Sequence, residues 1–267
     1  MTPRSLPVGA AVVTGGARGI GRGIAELLVA RGHRVVLTDI DGDSARRTAE
    51  EIGAVAGLQQ DVRDEASHRL VAEEALRHGP LVAWFNNAGV GNDGKLRDLS
   101  SASVEQLVQV NLMGVIWGTR AALEAFGPGG GDVVNTASLS GLGPVPGLSV
   151  YAATKAAVVS LTSSVHVETP RNVRLHAVCP DGVDTPMVDA MDPDGLAKAL
   201  NHSGGGLLTV DTVAGEAVAL LGSSRLVLSL PRWRGGLVRA TTFAPSVAMK
   251  GLPLFVALGR RAQKKYR

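Results

Sequence analysis

The stretch Ala10-Ala-Val-Val-Thr-Gly-Gly-Ala-Arg-Gly-Ile-Gly-Arg-Gly-Ile-Ala25 decides how this chain folds. Val12 and Val13 form a short β-branched run that breaks into a glycine-rich turn, and Ile20, Ile24, Leu27 and Leu28 follow at helical spacing. The pattern is strand, turn, helix. Gly15, Gly19 and Gly21 let the backbone bend sharply and approach a ligand, while a new helix presents unpaired N–H groups and the positive end of its dipole. Such a place suits a phosphate, although a tight strand-to-helix connection gives the same pattern.

A chain of 267 residues with 45% hydrophobic content is long enough for a large core, and α/β folds of this size often form one domain. Only 19% of residues are charged and 34 are glycine, which suits parallel strands buried on both faces and joined by glycine-containing loops. The single cysteine, Cys179, excludes an internal disulfide and a Cys-based metal site, and it fits a reducing, cytoplasmic setting. No signal peptide is expected, because the apolar run Val8 to Val13 is short and feeds the glycine turn. His33, His68, His78, His166, His176 and His202 show no paired ligand spacing, so they read as surface or packing residues and no metal is expected. The net charge of +3 is unevenly spread. Ten of the 27 Lys and Arg lie in residues 217–267, where no acid follows Glu216, which leaves 17 bases against 24 acids in the preceding part. The body is acidic and the tail is basic.

Beyond the opening stretch, short apolar runs keep alternating with helical segments, the pattern of a Rossmann-type doubly wound parallel sheet flanked by helices. Val35-Val-Leu-Thr-Asp39 reads as the second strand, Ser44 to Ile52 as a helix, Ala54 to Gln60 as the third strand, Glu65 to Arg77 as a helix and Leu81 to Phe85 as the fourth strand. Asp39 stands at a strand end 24 residues beyond Gly15, where a carboxylate hydrogen-bonds adenosine ribose hydroxyls and repels a 2′-phosphate. That favours NAD over NADP; a solvated strand end is the alternative. Asn86-Asn87-Ala88-Gly89 is, taken alone, ordinary turn chemistry. Asn111 interrupts the apolar helix from about Val104 to Phe126, so its amide is either a satisfied core group or part of a site. Asp132-Val-Val-Asn-Thr-Ala-Ser138 is the fifth strand, Tyr151-Ala-Ala-Thr-Lys155 opens a helix, and Val173 to Val178 is the sixth strand. Met187 to Leu208 reads as a mobile lid, Asp211 to Leu221 as a helix capped by Thr209 or Asp211, and Arg225 to Pro231 as the last strand.

Thr14-Gly15-x-x-x-Gly19-x-Gly21, Asn86-Asn-Ala-Gly89 and the ordered set Asn111, Ser138, Tyr151 and Lys155 resemble the short-chain dehydrogenase/reductase family over roughly residues 8–187. The resemblance implies a dinucleotide held by Thr14, Gly15, Arg18, Gly19, Ile20 and Gly21, with Asp61-Val62 against the adenine, while Asn87, Ala88 and Gly89 steady the central sheet beside the cofactor. It places Lys155 on the nicotinamide ribose and the segment of Pro180, Val183 and Thr185 over the nicotinamide. Some family members hold a 2′-phosphate with a basic residue where Arg18 stands, which opposes the reading of Asp39. Tyr151 becomes the general acid/base, Ser138 the donor to the substrate oxygen, and Asn111 the anchor of a water between Lys155 and solvent. A homodimer or homotetramer is also implied. The chain departs from the family twice: Asp181 replaces the glycine after the proline, and Arg232-Trp-Arg-Gly-Gly236 replaces a glycine-rich end of the last strand. At Asp181, exposure to water is the expectation, with recognition of a second hydroxyl or an amine on the substrate as the alternative.

Tyr151 and Lys155 are four apart and share one helix face. A free tyrosine, with a pKa of about 10, is a poor base at neutral pH, and a nearby ammonium stabilises its phenolate. The expected function is NAD-dependent hydride transfer between nicotinamide and a secondary alcohol or ketone. Apolar Val145, Leu148, Met187, Val188 and Met191, with Ser138, Tyr151 and Asp181, are expected to wall a pocket for a steroid-like or other lipophilic small molecule. The alternatives are an NADPH-dependent carbonyl reductase and a non-catalytic nicotinamide-binding regulatory protein. No nucleic acid is expected as a partner. The chain divides into a catalytic part, 1–231, and an atypical basic, apolar C-terminal segment, 232–267. No apolar run there approaches the roughly 20 residues that span a bilayer. The segment instead packs on this subunit or a neighbour, or lies on an anionic membrane with Arg260, Arg261, Lys264, Lys265 and Arg267 near the headgroups.

Overall fold

The structure, a computed structural model, describes residues 7–243 and 245–263. Its strands are β1 (Ala10–Thr14), β2 (Arg34–Asp39), β3 (Ala56–Gln59), β4 (Leu81–Asn86), β5 (Gly131–Thr136), β6 (Val173–Pro180) and β7 (Val227–Leu230). They form one parallel sheet in the order β3-β2-β1-β4-β5-β6-β7. The order reverses between β1 and β4, and such a switch point opens a crevice at the carboxyl ends of the strands. β1, β4 and β5 are buried along their whole length, which explains the near-continuous apolar runs of β1 and β4.

Helices cover both faces. On one side α1 (Gly19–Ala30), α2 (Gly42–Ile52) and α9 (Val210–Val218) bury Ile24, Leu28, Ala45, Ala49, Val213 and Ala217 against Val13, Leu37 and Phe85. On the other, α3 (Glu65–Arg77) and α5 (Gly114–Ala125) bury Val71, Ala75, Ala121 and Ala122 against Val12, Val36 and Trp84. Asp41, Asp64 and Thr209 cap α2, α3 and α9 by accepting backbone N–H groups, so Thr209 rather than Asp211 starts α9.

The helix expected from Val104 to Phe126 is three consecutive pieces: α4 (Ser101–Val108), a π-helical turn over Gln109–Met113, and α5. Asn111 lies in that widened turn, a kind of irregularity that recurs at functional sites. β5 ends at Thr136, two residues short of Ser138, which begins a short 3₁₀ turn, Leu139–Leu142. α6 (Ser149–Glu168) carries Tyr151 and Lys155 in its first two turns.

The segment expected as a lid holds two short helices, α7 (Pro186–Asp189) and α8 (Leu196–His202). The tail folds back over them as α10 (Arg232–Thr241) and α11 (Pro245–Gln263). α11 crosses α8 so closely at Gly259 that a Cβ there would overlap the Ala199 carbonyl. Val238 of α10 packs beside Leu139 and Leu142. Among the described residues no helix is long and apolar enough to cross a membrane. Lys264, Lys265 and Arg267 lie outside the described residues.

Candidate active site

After Thr14 the chain turns through Gly15 to Arg18 into α1. Gly15 (φ +63°) and Gly19 (φ +54°) are left-handed, a region that costs a side chain about 1–2 kcal/mol. A Cβ on Gly21 would collide with the Gly15 carbonyl, and one on Gly15 would come within 2.8 Å of Ala88 Cα. No side chain caps α1, so its first-turn N–H groups are left for a ligand. The turn is clamped from behind. Thr14 Oγ1 accepts from the backbone N–H groups of Asn87 and Ala88 at 3.1 Å, and Asn87 Nδ2 donates to the Thr14 and Gly15 carbonyls at 3.2 Å. Asn86 points into the sheet layer, accepting from Trp84 Nε1 and donating to Asn135 Oδ1, both at 2.8 Å. A strand-end loop of two asparagines is thereby satisfied on both sides of β4.

At the β2 end, Asp39 Oδ2 accepts from the Ala17 N–H at 3.3 Å, and exposed Arg18 lines the same recess. Asp61 pairs with Arg63, whose hydrogen bonds hold its carboxyl below the usual carboxylate range against the opposing effect of burial. Val62 is buried beside it.

Ser138 Oγ accepts two hydrogen bonds, from Ser140 Oγ at 2.8 Å and from the Ser140 N–H at 3.2 Å. Its own proton makes a long contact with the Pro180 carbonyl, at 3.5 Å. Lys155 is buried and donates from Nζ to the Thr136 carbonyl at 2.7 Å, while Nζ lies 5.7 Å from the centre of the Tyr151 ring. Burial brings the Lys155 ammonium down to about 8. Burial also pushes the Tyr151 phenol above its ordinary range, with the Ser138 hydroxyl pulling the other way.

Asn111 is buried, and its amide is paired with the backbone of Val90, accepting the N–H and donating to the carbonyl, each at 2.9 Å. It locks the loop after β4 to the π-helical turn. One N–H and one lone pair remain on its amide. Gly89 sits between the two polar groups: a Cβ there would lie 3.2 Å from Asn111 Oδ1 and 3.6 Å from Lys155 Nζ.

Of the residues assigned from sequence to catalysis, the cofactor or the substrate pocket, all but Thr14, Gly21 and Asn111 line one cavity of about 1100 Å³. Those three stand behind its wall. Val145, Leu148, Met191 and Ala197 form an apolar cluster with Tyr151, and Val188 is buried nearby. Met187 is 38% exposed at the rim. Thr185 donates from Oγ1 to the Val183 carbonyl at 3.2 Å.

Asp181 does not face open water. It is buried against Arg234 of α10, with Nη1 2.9 Å from Oδ2, and burial raises its carboxyl to about 6 although Arg234 acts to lower it. Sequence reasoning also missed Ser140, Leu237, Val238, Leu252 and Phe255, the last four being tail residues that line the cavity. The departure at Arg232-Trp-Arg-Gly-Gly236 was the available signal, because a changed strand ending implies a changed wall beside it.

A glycine turn at the switch point, a carboxylate at the next strand end, and a Ser, Tyr and Lys set on the far side define a dinucleotide-dependent oxidoreductase site. A family profile described as short chain dehydrogenase matches residues 9–195, and the chain belongs to that family. It is an enzyme class that acts on CH–OH groups. The chain is 38% identical over 187 residues to a sorbitol dehydrogenase of Cereibacter sphaeroides, covering 68% of this chain and 73% of that one. It is 32% identical over 195 residues to a 3-beta-hydroxysteroid dehydrogenase of Comamonas testosteroni, covering 71% and 77%. A short chain dehydrogenase/reductase from Burkholderia phymatum, solved in complex with NAD, superposes with a TM-score of 0.80 at 28% identity, covering 92% of this chain and 96% of that one.

Proposed function

We propose that this chain uses NAD to interconvert a lipophilic secondary alcohol and its ketone. The observation that carries the reading is the continuity of one cavity from the glycine turn and Asp39 to Ser138, Tyr151 and Lys155. The cradle fits a dinucleotide, since Gly15 and Gly21 have no room for a Cβ and the α1 N-terminus is uncapped. Gly15, Arg18, Gly19 and Ile20 would hold the pyrophosphate, Asp39 the adenosine ribose, and Asp61 and Val62 the adenine. Asn87, Ala88, Gly89, Pro180, Val183 and Thr185 would flank the nicotinamide end. When bound, NAD supplies the hydride acceptor and a fixed positive charge. Tyr151 takes the hydroxyl proton in oxidation and returns it in reduction. Ser138 is prepared as a donor, because Ser140 already fills its acceptor side and its proton has a long contact to give up. Lys155 keeps two N–H bonds beyond the one to Thr136, for ribose hydroxyls or for a water shared with Asn111. A sorbitol dehydrogenase among the relatives suggests a polyol and a hydroxysteroid dehydrogenase an alicyclic alcohol; the apolar walls at Val145, Leu148 and Met191 favour the second.

Arg18 beside Asp39 supports a second reading, an NADPH-dependent carbonyl reductase. Titration with both coenzymes separates them. Asp39→Ala is expected to lower the preference for NAD over NADP by about tenfold or more, because a like-charge contact near the surface is worth more than one kcal/mol. Wild-type protein that binds NADP more tightly would shift the reading to Arg18.

We also propose a cytoplasmic homo-oligomer, a dimer or tetramer, that touches anionic membrane through the tail. α11 exposes Leu254, Leu258 and Arg261 at spacings that share one stripe, and α10 exposes Trp233 and Leu237 four apart. Lys250 and Arg260 are exposed as well. Truncating the tail would strip the cavity wall, so charge reversal is the cleaner probe. R260E/R261E should weaken co-sedimentation with anionic vesicles by about tenfold or more, at roughly 1 kcal/mol per basic residue, and leave neutral vesicles unaffected. Negligible binding of wild-type protein to both vesicles at low salt assigns these helices to packing or oligomer contacts instead.

A further inference from the structure

The two places where the sequence departs from its family meet in space. Asp181 follows Pro180 at the end of β6, where the Pro180 carbonyl already touches Ser138, and Arg234 comes from α10 of the tail. Both side chains are about nine-tenths buried, and both line the cavity. Their hydrogen bonding is incomplete. Arg234 Nη2 donates to the Leu200 carbonyl at 3.4 Å and to Ser203 Oγ at 3.2 Å, which anchors the guanidinium to α8 and the turn after it. Nη1 lies 2.9 Å from Asp181 Oδ2 but off the line of its N–H bonds, and it has no aligned partner among the described residues. The nearby Gly182 backbone N–H acts to lower the Asp181 carboxyl, which has acceptor capacity left over.

A buried ion pair of this kind recovers its desolvation penalty only when the remaining donors and acceptors find partners. The pair is neutral overall but polar at each end. An ammonium entering the cavity meets the like charge of Arg234, and a carboxylate meets that of Asp181. An uncharged hydroxyl donates to Asp181 while accepting from Arg234, and a ketone oxygen accepts from Arg234. Neither introduces a net charge. We propose that Asp181 and Arg234 form a polar subsite for a second, uncharged oxygen function on the substrate, so that the enzyme acts on difunctional alicyclic alcohols such as diols and hydroxyketones. The inference rests on the reading of the cavity as an alcohol dehydrogenase site. It accounts for the paired departure from the family: an acid at position 181 brings its own partner from a rebuilt tail.

The test is binding selectivity, measured by titration calorimetry with androstanol and androstanediol, with and without NADH. Wild-type protein should bind the diol about tenfold or more tighter than the mono-alcohol, the scale of a hydrogen bond to a charged group. D181G/R234M removes both charges together and should bind the two probes alike, with its affinity for androstanol retained. Should that variant melt below the assay temperature, D181L/R234M fills the same space with apolar side chains and takes its place. A pair that merely latches α8 to α10 would weaken both probes equally when removed and leave their ratio unchanged. Such an unchanged ratio, or a wild-type protein that does not prefer the diol, overturns the subsite. Failure to bind NADH overturns the dehydrogenase reading alone, because the probe ratio without coenzyme still decides the subsite.

Discussion

Tyr151→Phe should reduce oxidation of a secondary alcohol about 10³-fold, within the 10²–10⁴ range that one positioned acid/base group contributes, while NAD binding is essentially unchanged. The phenol oxygen is the only atom removed, and the glycine turn, Asp39 and Lys155 all stay in place. Lys155 is held by the Thr136 carbonyl rather than by the phenol, so its position does not depend on Tyr151. A pH profile adds a sign. Burial keeps Tyr151 protonated past its ordinary range, so kcat/KM for oxidation should rise with pH as the phenol ionises, and that for reduction should fall. The phenylalanine variant should lose the rising limb as well as the rate. Stopped assays of coenzyme reduction over a pH series, with coenzyme affinity measured on the same samples, check both parts. Unchanged turnover in the variant would remove Tyr151 from the chemistry, and coenzyme binding without turnover in wild type would identify a regulatory protein.

What was legible in the sequence was whatever depends on local spacing. The strand, turn and helix at Ala10 to Ala25 follow from β-branched residues, glycines and a helical repeat, and Tyr151 and Lys155 meet because they are four apart on α6. Long-range pairings were not legible. Asp181 could be placed beside the nicotinamide end, but its partner lies 53 residues later in a segment with no repeat to fix its path, so exposure to water was the wrong expectation. The same holds for Asn111. Its spacing marks a polar residue inside a helix, whereas the Val90 backbone that satisfies it comes from the loop after β4. The basic, apolar tail shows the limit in another way. Composition describes what its two faces offer, but the contact of Gly259 with Ala199 depends on where the preceding strand ends.

Asp132→Asn should destabilise the protein by about 3 kcal/mol or more at neutral pH, the cost of stranding one member of a buried charge pair. Asp132 is fully buried near the start of β5, opposite Arg174 of β6 in the strand register. Arg174 donates to both its oxygens at 2.7 Å, His176 Nε2 lies 2.9 Å from Oδ1, and the Gly222 N–H donates at 3.3 Å. Burial alone would raise this carboxyl, but the hydrogen bonds from His176 and Arg174 outweigh it and hold the group below the usual carboxylate range. The folded value is therefore the lower one, and the stabilisation is present in full above the unfolded value. It begins to shrink as the pH falls below about 4, where the unfolded carboxyl takes up its proton, and is lost once the folded one does too. Urea unfolding of both proteins should show a gap that is wide at pH 7 and closes in acid. Because Asp132 sits at the opposite end of β5 from Thr136 and Ser138, the folded variant should keep the wild-type kcat/KM. Equal unfolding midpoints at pH 7 would mean that Arg174 finds water or another acceptor without cost, and that the network tying β5, β6 and Gly222 together contributes nothing to holding the sheet.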